Sequence, residues 1–129
     1  MDIEHIAVGY NSEEEANKFF VDLLGLKKIR SKSVSKDLMM KFFSVKRETK
    51  FVLYGNQDSI FEVFITNDNS RAQDVFTHSC LLIEKRDEFL SRASSMGYDL
   101  VKVPRNDNNG YYLFIKDGFR NLYEIKDKS

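Results

Sequence analysis

The sequence predicts an α+β fold made of two tandem modules, each reading strand, helix and then three or so strands. Three observations predict it. His5 and His78, the chain's two histidines, each open an apolar strand-like run. A glycine closes the helix-like segment after each of them, 20 residues from His5 to Gly25 and 19 from His78 to Gly97. An apolar residue follows each glycine, Leu26 and Tyr98, and begins a new extended run.

The first module opens with the strand Ile3 to Val8, in which Ile6 and Val8 share one face. Ser12 and Glu15 form a capping box ahead of Ala16, Phe20, Leu23 and Leu24, apolar positions at helical spacing. Gly25 fits the left-handed residue that ends such a helix. Strands are expected over Lys27 to Val34, Leu38 to Val45, Phe51 to Tyr54 and Ile60 to Thr66, with Gly55-Asn56 turning between the last two. The polar, turn-rich stretch Thr66 to Val75 marks the boundary, giving one domain over residues 1–129 made of repeats 1–68 and 75–129.

The second module repeats the plan. Thr77 to Ile83 reads as a strand, and Asp87 as the cap of a helix carrying Phe89, Leu90, Ala93 and Met96. Strands follow over Tyr98 to Val103, Tyr111 to Ile115 and Leu122 to Ile125, with Asp117-Gly118 turning before the last.

Composition excludes several functions. Twenty Lys+Arg balance twenty Asp+Glu, so no basic excess exists to neutralise nucleic-acid phosphates. No apolar run is long enough to span a membrane, and the N-terminus lacks the pattern of a secretion signal. One cysteine, Cys80, builds neither a disulfide nor a thiolate zinc site, which suits a reducing, cytoplasmic setting. Phosphate-loop, dinucleotide-binding, zinc-protease and serine-hydrolase motifs are absent from the sequence.

Strand alternation then isolates four residues. His5 and His78 fall on the face of their strands opposite the helix. Glu62 interrupts the apolar stripe Phe61, Val63 and Ile65, and Glu124 stands between Tyr123 and Ile125 in the same way. A carboxylate in an apolar strand is costly to bury unless it is paired or bound to a metal. One imidazole and one carboxylate per repeat make a donor set for zinc, nickel, cobalt, iron or manganese. Cys80 shares the His78 face and reads as an inert buried thiol. Tyr111-Tyr112 read as core and cavity lining, and Lys27, Lys28, Arg30 and Lys32 as a solvated face.

With these residues in place, the sequence resembles the vicinal-oxygen-chelate superfamily (glyoxalases, bleomycin-resistance proteins, ring-cleaving dioxygenases), and within it bacterial lactoylglutathione lyase. The likeness runs through the strand at His5, Leu23-Leu24-Gly25-Leu26, Phe61-Glu62-Val63, the strand at His78 and the closing Asp117-Gly118-Phe119-Arg120-Asn121-Leu122-Tyr123-Glu124. The resemblance implies curved mixed sheets around a central cavity, a divalent metal held by His5, Glu62, His78 and Glu124, and a homodimer. It implies a small substrate that chelates the metal through two oxygens, with Glu124 or Glu62 moving a proton. The implied activity is that of a metal-dependent lyase or isomerase; a metal-free antibiotic-binding protein and a dioxygenase are the alternatives. The glutathione-using relatives carry an arginine where this chain has Gly9, no replacement is visible, the loop Arg47 to Asp58 is longer than theirs, and their proline in the closing turn is missing.

Overall fold

The computed structural model describes residues 3–68, 72, 77–105 and 110–128. The chain divides into two compact units, Met1–Arg71 and Ala72–Ser129. Most of the expected boundary, residues 69–71 and 73–76, lies outside the described residues.

In the first unit the sheet contains β1 (Ile6–Tyr10), β2 (Lys27–Val34), β3 (Thr49–Gly55) and β4 (Ile60–Ile65), in the order β1-β4-β3-β2. β1 and β4 run parallel, and the other neighbours are antiparallel. The helix α1 (Glu13–Asn17) starts at Ser12, whose hydroxyl accepts from the Glu15 amide, while its own amide donates to Asn11 Oδ1 in place of the Glu15 carboxylate of a full capping box. It widens into a π-helical turn over Lys18–Leu23, with Phe19, Phe20 and Leu23 buried. Phe20 anchors this core. Its ring stacks on Tyr54 at 5.1 Å and contacts Tyr10, Phe19 and Phe61 at 5.1 to 6.0 Å. Gly25 closes the helix at φ +74°, where a side chain would be strained.

The second unit repeats this topology with β5 (His78–Ile83), α3 (Arg86–Ser95), β6 (Asp99–Pro104), β7 (Tyr111–Lys116) and β8 (Leu122–Asp127), in the order β5-β8-β7-β6. Again the first and last strands pair in parallel. Gly97 ends α3 at φ +89°, and the bonds Tyr98 N to Ala93 O and Gly97 N to Ser94 O are those of a Schellman cap. The chain is thus α+β, two four-stranded mixed sheets with their helices.

Several expectations are corrected. Leu38 to Val45 is not a strand. Ser35 caps α2 (Lys36–Phe43) by accepting from the Leu38 amide, Asp37 and Lys41 pair one turn apart, and Met39 is buried. Asp87 does not cap α3. The cap is Lys85, in the left-handed region, and Asp87 sits in the first turn. Arg47 to Asp58 is no long loop, because β3 occupies its centre and a short turn, braced by the Asn56 side chain, joins β3 to β4. Tyr111 and Tyr112 are exposed, with Lys102 and Arg105 each 4.3 Å from a ring centroid.

Candidate functional site

Each sheet has one face packed on its helix and one face open. In the first sheet Phe61, Val63 and Ile65 turn to the helix and are buried, so Glu62 between them turns to the open face. The register places Ala7 directly opposite Glu62, and His5 lies two residues earlier on the same face. The second sheet is similar, except that His78 opens β5 and pairs with Leu122 whereas His5 lies just before β1. Cys80 stands opposite Glu124, and His78 lies two residues earlier.

The side chains meet accordingly. His5 Nε2 lies 3.9 Å from a Glu62 carboxylate oxygen, and His78 Nε2 lies 3.9 Å from a Glu124 oxygen. That separation is too long for a hydrogen bond. It is a gap that one ion can span, bonded to each atom at about 2.0–2.2 Å. All four side chains are one-fifth to two-fifths exposed, so the donors are reachable. The other ring nitrogen of His5, Nδ1, lies 3.0 Å from a Glu4 carboxylate oxygen. Such an outer carboxylate fixes the tautomer that leaves Nε2 free as a donor. Each pair therefore offers two donors of the chemistry that a divalent cation takes. The structure brings His5 to Glu62 and His78 to Glu124; among the described residues no group of three or more His, Cys, Asp and Glu side chains forms a metal-holding cluster.

The surroundings differ between the two pairs. Phe114 packs edge-on to His78 at 5.6 Å, at the position that Leu53 takes opposite Glu62. Phe64, two residues past Glu62, contacts Phe51 and Phe43, so α2 covers part of the open face of the first sheet. Cys80 is exposed, not buried as expected. Partial burial and the neighbouring Glu124 charge push its thiol above the ordinary value. The residue that alternation did not reveal is Phe43, brought in by α2; Lys27, Lys28, Arg30 and Lys32 are exposed, as the reading of a solvated face requires.

Asp117 holds the turn ahead of Glu124. It is 2% exposed and accepts from the Phe119 amide, the Asn121 amide and side chain, and the Tyr123 hydroxyl, all at 2.9 to 3.0 Å. Burial pushes its carboxyl above the usual carboxylate range, against the opposing pull of these four donors. The closing motif thus fixes where β8 begins, and with it where Glu124 stands.

No family model matches the sequence, and no curated protein does either. Solved structures do. A glyoxalase family protein from Enterococcus faecalis aligns at TM-score 0.72 and 16% identity, covering 96% of this chain and 95% of that one. The fosfomycin resistance protein FosX from Listeria monocytogenes, in a variant complexed with Mn(II) and 1S,2S-dihydroxypropylphosphonic acid, aligns at 0.71 and 18%, covering 99% and 92%. The trypanothione-dependent glyoxalase I of Leishmania major aligns at 0.74 and 15%, covering 99% and 87%. No helix among the described residues is long and apolar enough to cross a membrane. At these identities the likeness establishes the fold: this chain has the two-sheet architecture of glyoxalase-family and FosX structures.

Proposed function

We propose that the chain is a metal-dependent lyase or isomerase of the glyoxalase type, acting on a small substrate that chelates through two neighbouring oxygens. The observation that carries this reading is the recurrence of one histidine–glutamate arrangement, at 3.9 Å, in both sheets. Chance does not favour two such similar pairs, each with its histidine and glutamate at corresponding ends of a parallel strand pair, when the chain has only two histidines. The fold likeness supports it, since the FosX relative is described with Mn(II).

His5, Glu62, His78 and Glu124 would hold the ion, zinc, nickel, cobalt, iron or manganese. When bound, the ion supplies Lewis acidity toward a substrate oxygen and stabilises negative charge there. His5 serves through Nε2, with Glu4 keeping the proton on Nδ1. Glu124 or Glu62 takes a proton from the substrate carbon beside the chelating oxygens and returns it to the neighbouring carbon, a general-base role for an accessible carboxylate. Neither half completes a coordination shell by itself, because each supplies two donors. The shell is completed by pooling both pairs, within one chain or across a homodimer. The closest activity is that of bacterial lactoylglutathione lyase, and the chain works in the cytoplasm.

Elemental analysis after reconstitution with each of the five metals tests the reading. About one equivalent per chain is expected for at least one metal. His5→Ala and Glu124→Ala lower affinity for it by at least about a hundredfold, and loading by turnover-competent metal by the same measure. Sub-stoichiometric metal in the wild type with all five ends the assignment. Light scattering of the loaded protein tests the dimer.

A further inference from the structure

The open face of the first sheet carries positive charge that neither the core nor the metal donors explain. β2 contains a β-bulge. Lys28 stands opposite Tyr54, but the next paired residue is Arg30, opposite Leu53, and Ile29 is the extra residue. Up to Lys28 the strand keeps one phase; beyond Ile29 it keeps the other. Lys28 therefore faces the helix side, where it pairs with Glu13, as Lys50 does. Arg30 faces the open side.

The register then puts Arg30 in line with the metal pair. Ala7, Glu62, Leu53 and Arg30 form one level across all four strands. Two strand spacings, about 10 Å, separate the Glu62 and Arg30 backbones, a span that one small molecule bridges. Lys32, opposite Phe51, adds a second cation on the same face. Both are exposed, and among the described residues neither has a carboxylate partner, whereas Lys28, Lys50, Lys41 and Arg120 all do.

The second sheet is the internal control. Its equivalent level reads Cys80, Glu124, Phe114 and Val101, with Val103 beyond. The architecture tolerates apolar residues at this position, so packing does not demand a cation. A guanidinium, planar and permanently charged, is suited to grip an oxyanion with two bonds.

We infer that Arg30, assisted by Lys32, anchors an oxyanion group at the end of the substrate remote from its chelating oxygens. This rests on the metal-centre reading: the substrate is a small anionic compound carrying a vicinal oxygen pair and a separate carboxylate or equivalent oxyanion.

The test uses the full chain loaded with Mn(II) and two probes that offer the same vicinal oxygens. Dihydrocaffeate carries a propanoate arm; methylcatechol is neutral. Titration calorimetry gives the dissociation constant of each. The wild type is expected to prefer dihydrocaffeate by about tenfold, the worth of one charge-assisted pair. Arg30→Gln brings that ratio to within about twofold of unity with methylcatechol unchanged, and Arg30→Lys retains part of it. Lys36→Gln, which removes one exposed charge from α2, leaves the ratio intact. A ratio near unity in the wild type, or one that survives Arg30→Gln, overturns the inference. Mn(II) titration of each protein without catechol separates the two failures. If the wild type binds no Mn(II), the metal-centre reading falls and this inference with it; if it binds and the ratio ignores Arg30, only the anion anchor falls.

Discussion

Replacing Asp117 by alanine should cost the protein a large part of its stability. The carboxylate accepts from two amides, one side-chain amide and one phenol, and it is almost fully buried. Its removal leaves the Phe119 and Asn121 amides and the Tyr123 hydroxyl without their acceptor. Each buried donor left unmade costs about 1–3 kcal/mol. Water can reach the turn at the exposed Gly118, so the sum is not fully realised, and a loss of about 3–5 kcal/mol is expected. Against a total of about 5–15 kcal/mol, that is a major fraction. Urea denaturation followed by circular dichroism reads it directly. Asp117→Asn should cost less, about 1–2 kcal/mol, because one oxygen still serves both backbone amides while the new amide opposes the Asn121 amide. The pH dependence separates the two roles. The folded Asp117 carboxyl titrates above its unfolded value, so its contribution is full below the ordinary carboxylate range and is lost as pH rises through the raised folded value. The penalty of Asp117→Asn is therefore largest in acid and shrinks toward neutrality. A loss under about 1 kcal/mol for Asp117→Ala would refute the account of the turn.

Other outcomes follow from the same structure. Phe20→Ala removes a fully buried ring with four aromatic neighbours and should cost about 3–5 kcal/mol in denaturant titration. Glu13 is held below its ordinary value by Lys28 and Lys50. The stability it adds is present above the unfolded carboxylate value and is lost as pH falls through the folded one. Since its partners are well exposed, Glu13→Gln should cost under about 1 kcal/mol, and less still in high salt. Cys80 is exposed and should react with a disulfide reagent in native protein, more slowly at pH 8 than free cysteine because its thiol is raised.

How much of this was legible in the sequence depended on whether local signals matched tertiary ones. Ser12 and the glycines at 25 and 97 carry their chemistry locally, and the caps stand where expected. The alternation of Phe61, Glu62 and Val63 sufficed to put a carboxylate on the open face, because β4 is flanked on both sides and its period of two is undisturbed. The run Leu38 to Val45 failed for a physical reason. Its aromatic and aliphatic residues have strand-like composition, yet Ser35 and the pair Asp37 and Lys41 favour the helix, and Met39 and Phe43 share one side of it. Lys85 gave no sequence signal as a cap, since a left-handed lysine is rare. The phase change in β2 was not legible either. The string Lys27-Lys28-Ile29-Arg30-Ser31-Lys32 reads as basic on both faces, and only pairing with β3 decides which cation goes where.

That phase change has an evolutionary reading. In an ordinary strand, one inserted residue turns every later side chain over and exposes what was packed. Ile29 absorbs the insertion on the spot, on the outermost strand, so Val52, Val63 and the rest of the helix-facing layer keep their places. Gain or loss of a single codon there leaves Lys28 opposite Tyr54 and Arg30 opposite Leu53, so the chain can change length at this edge while both faces of the sheet keep their residues.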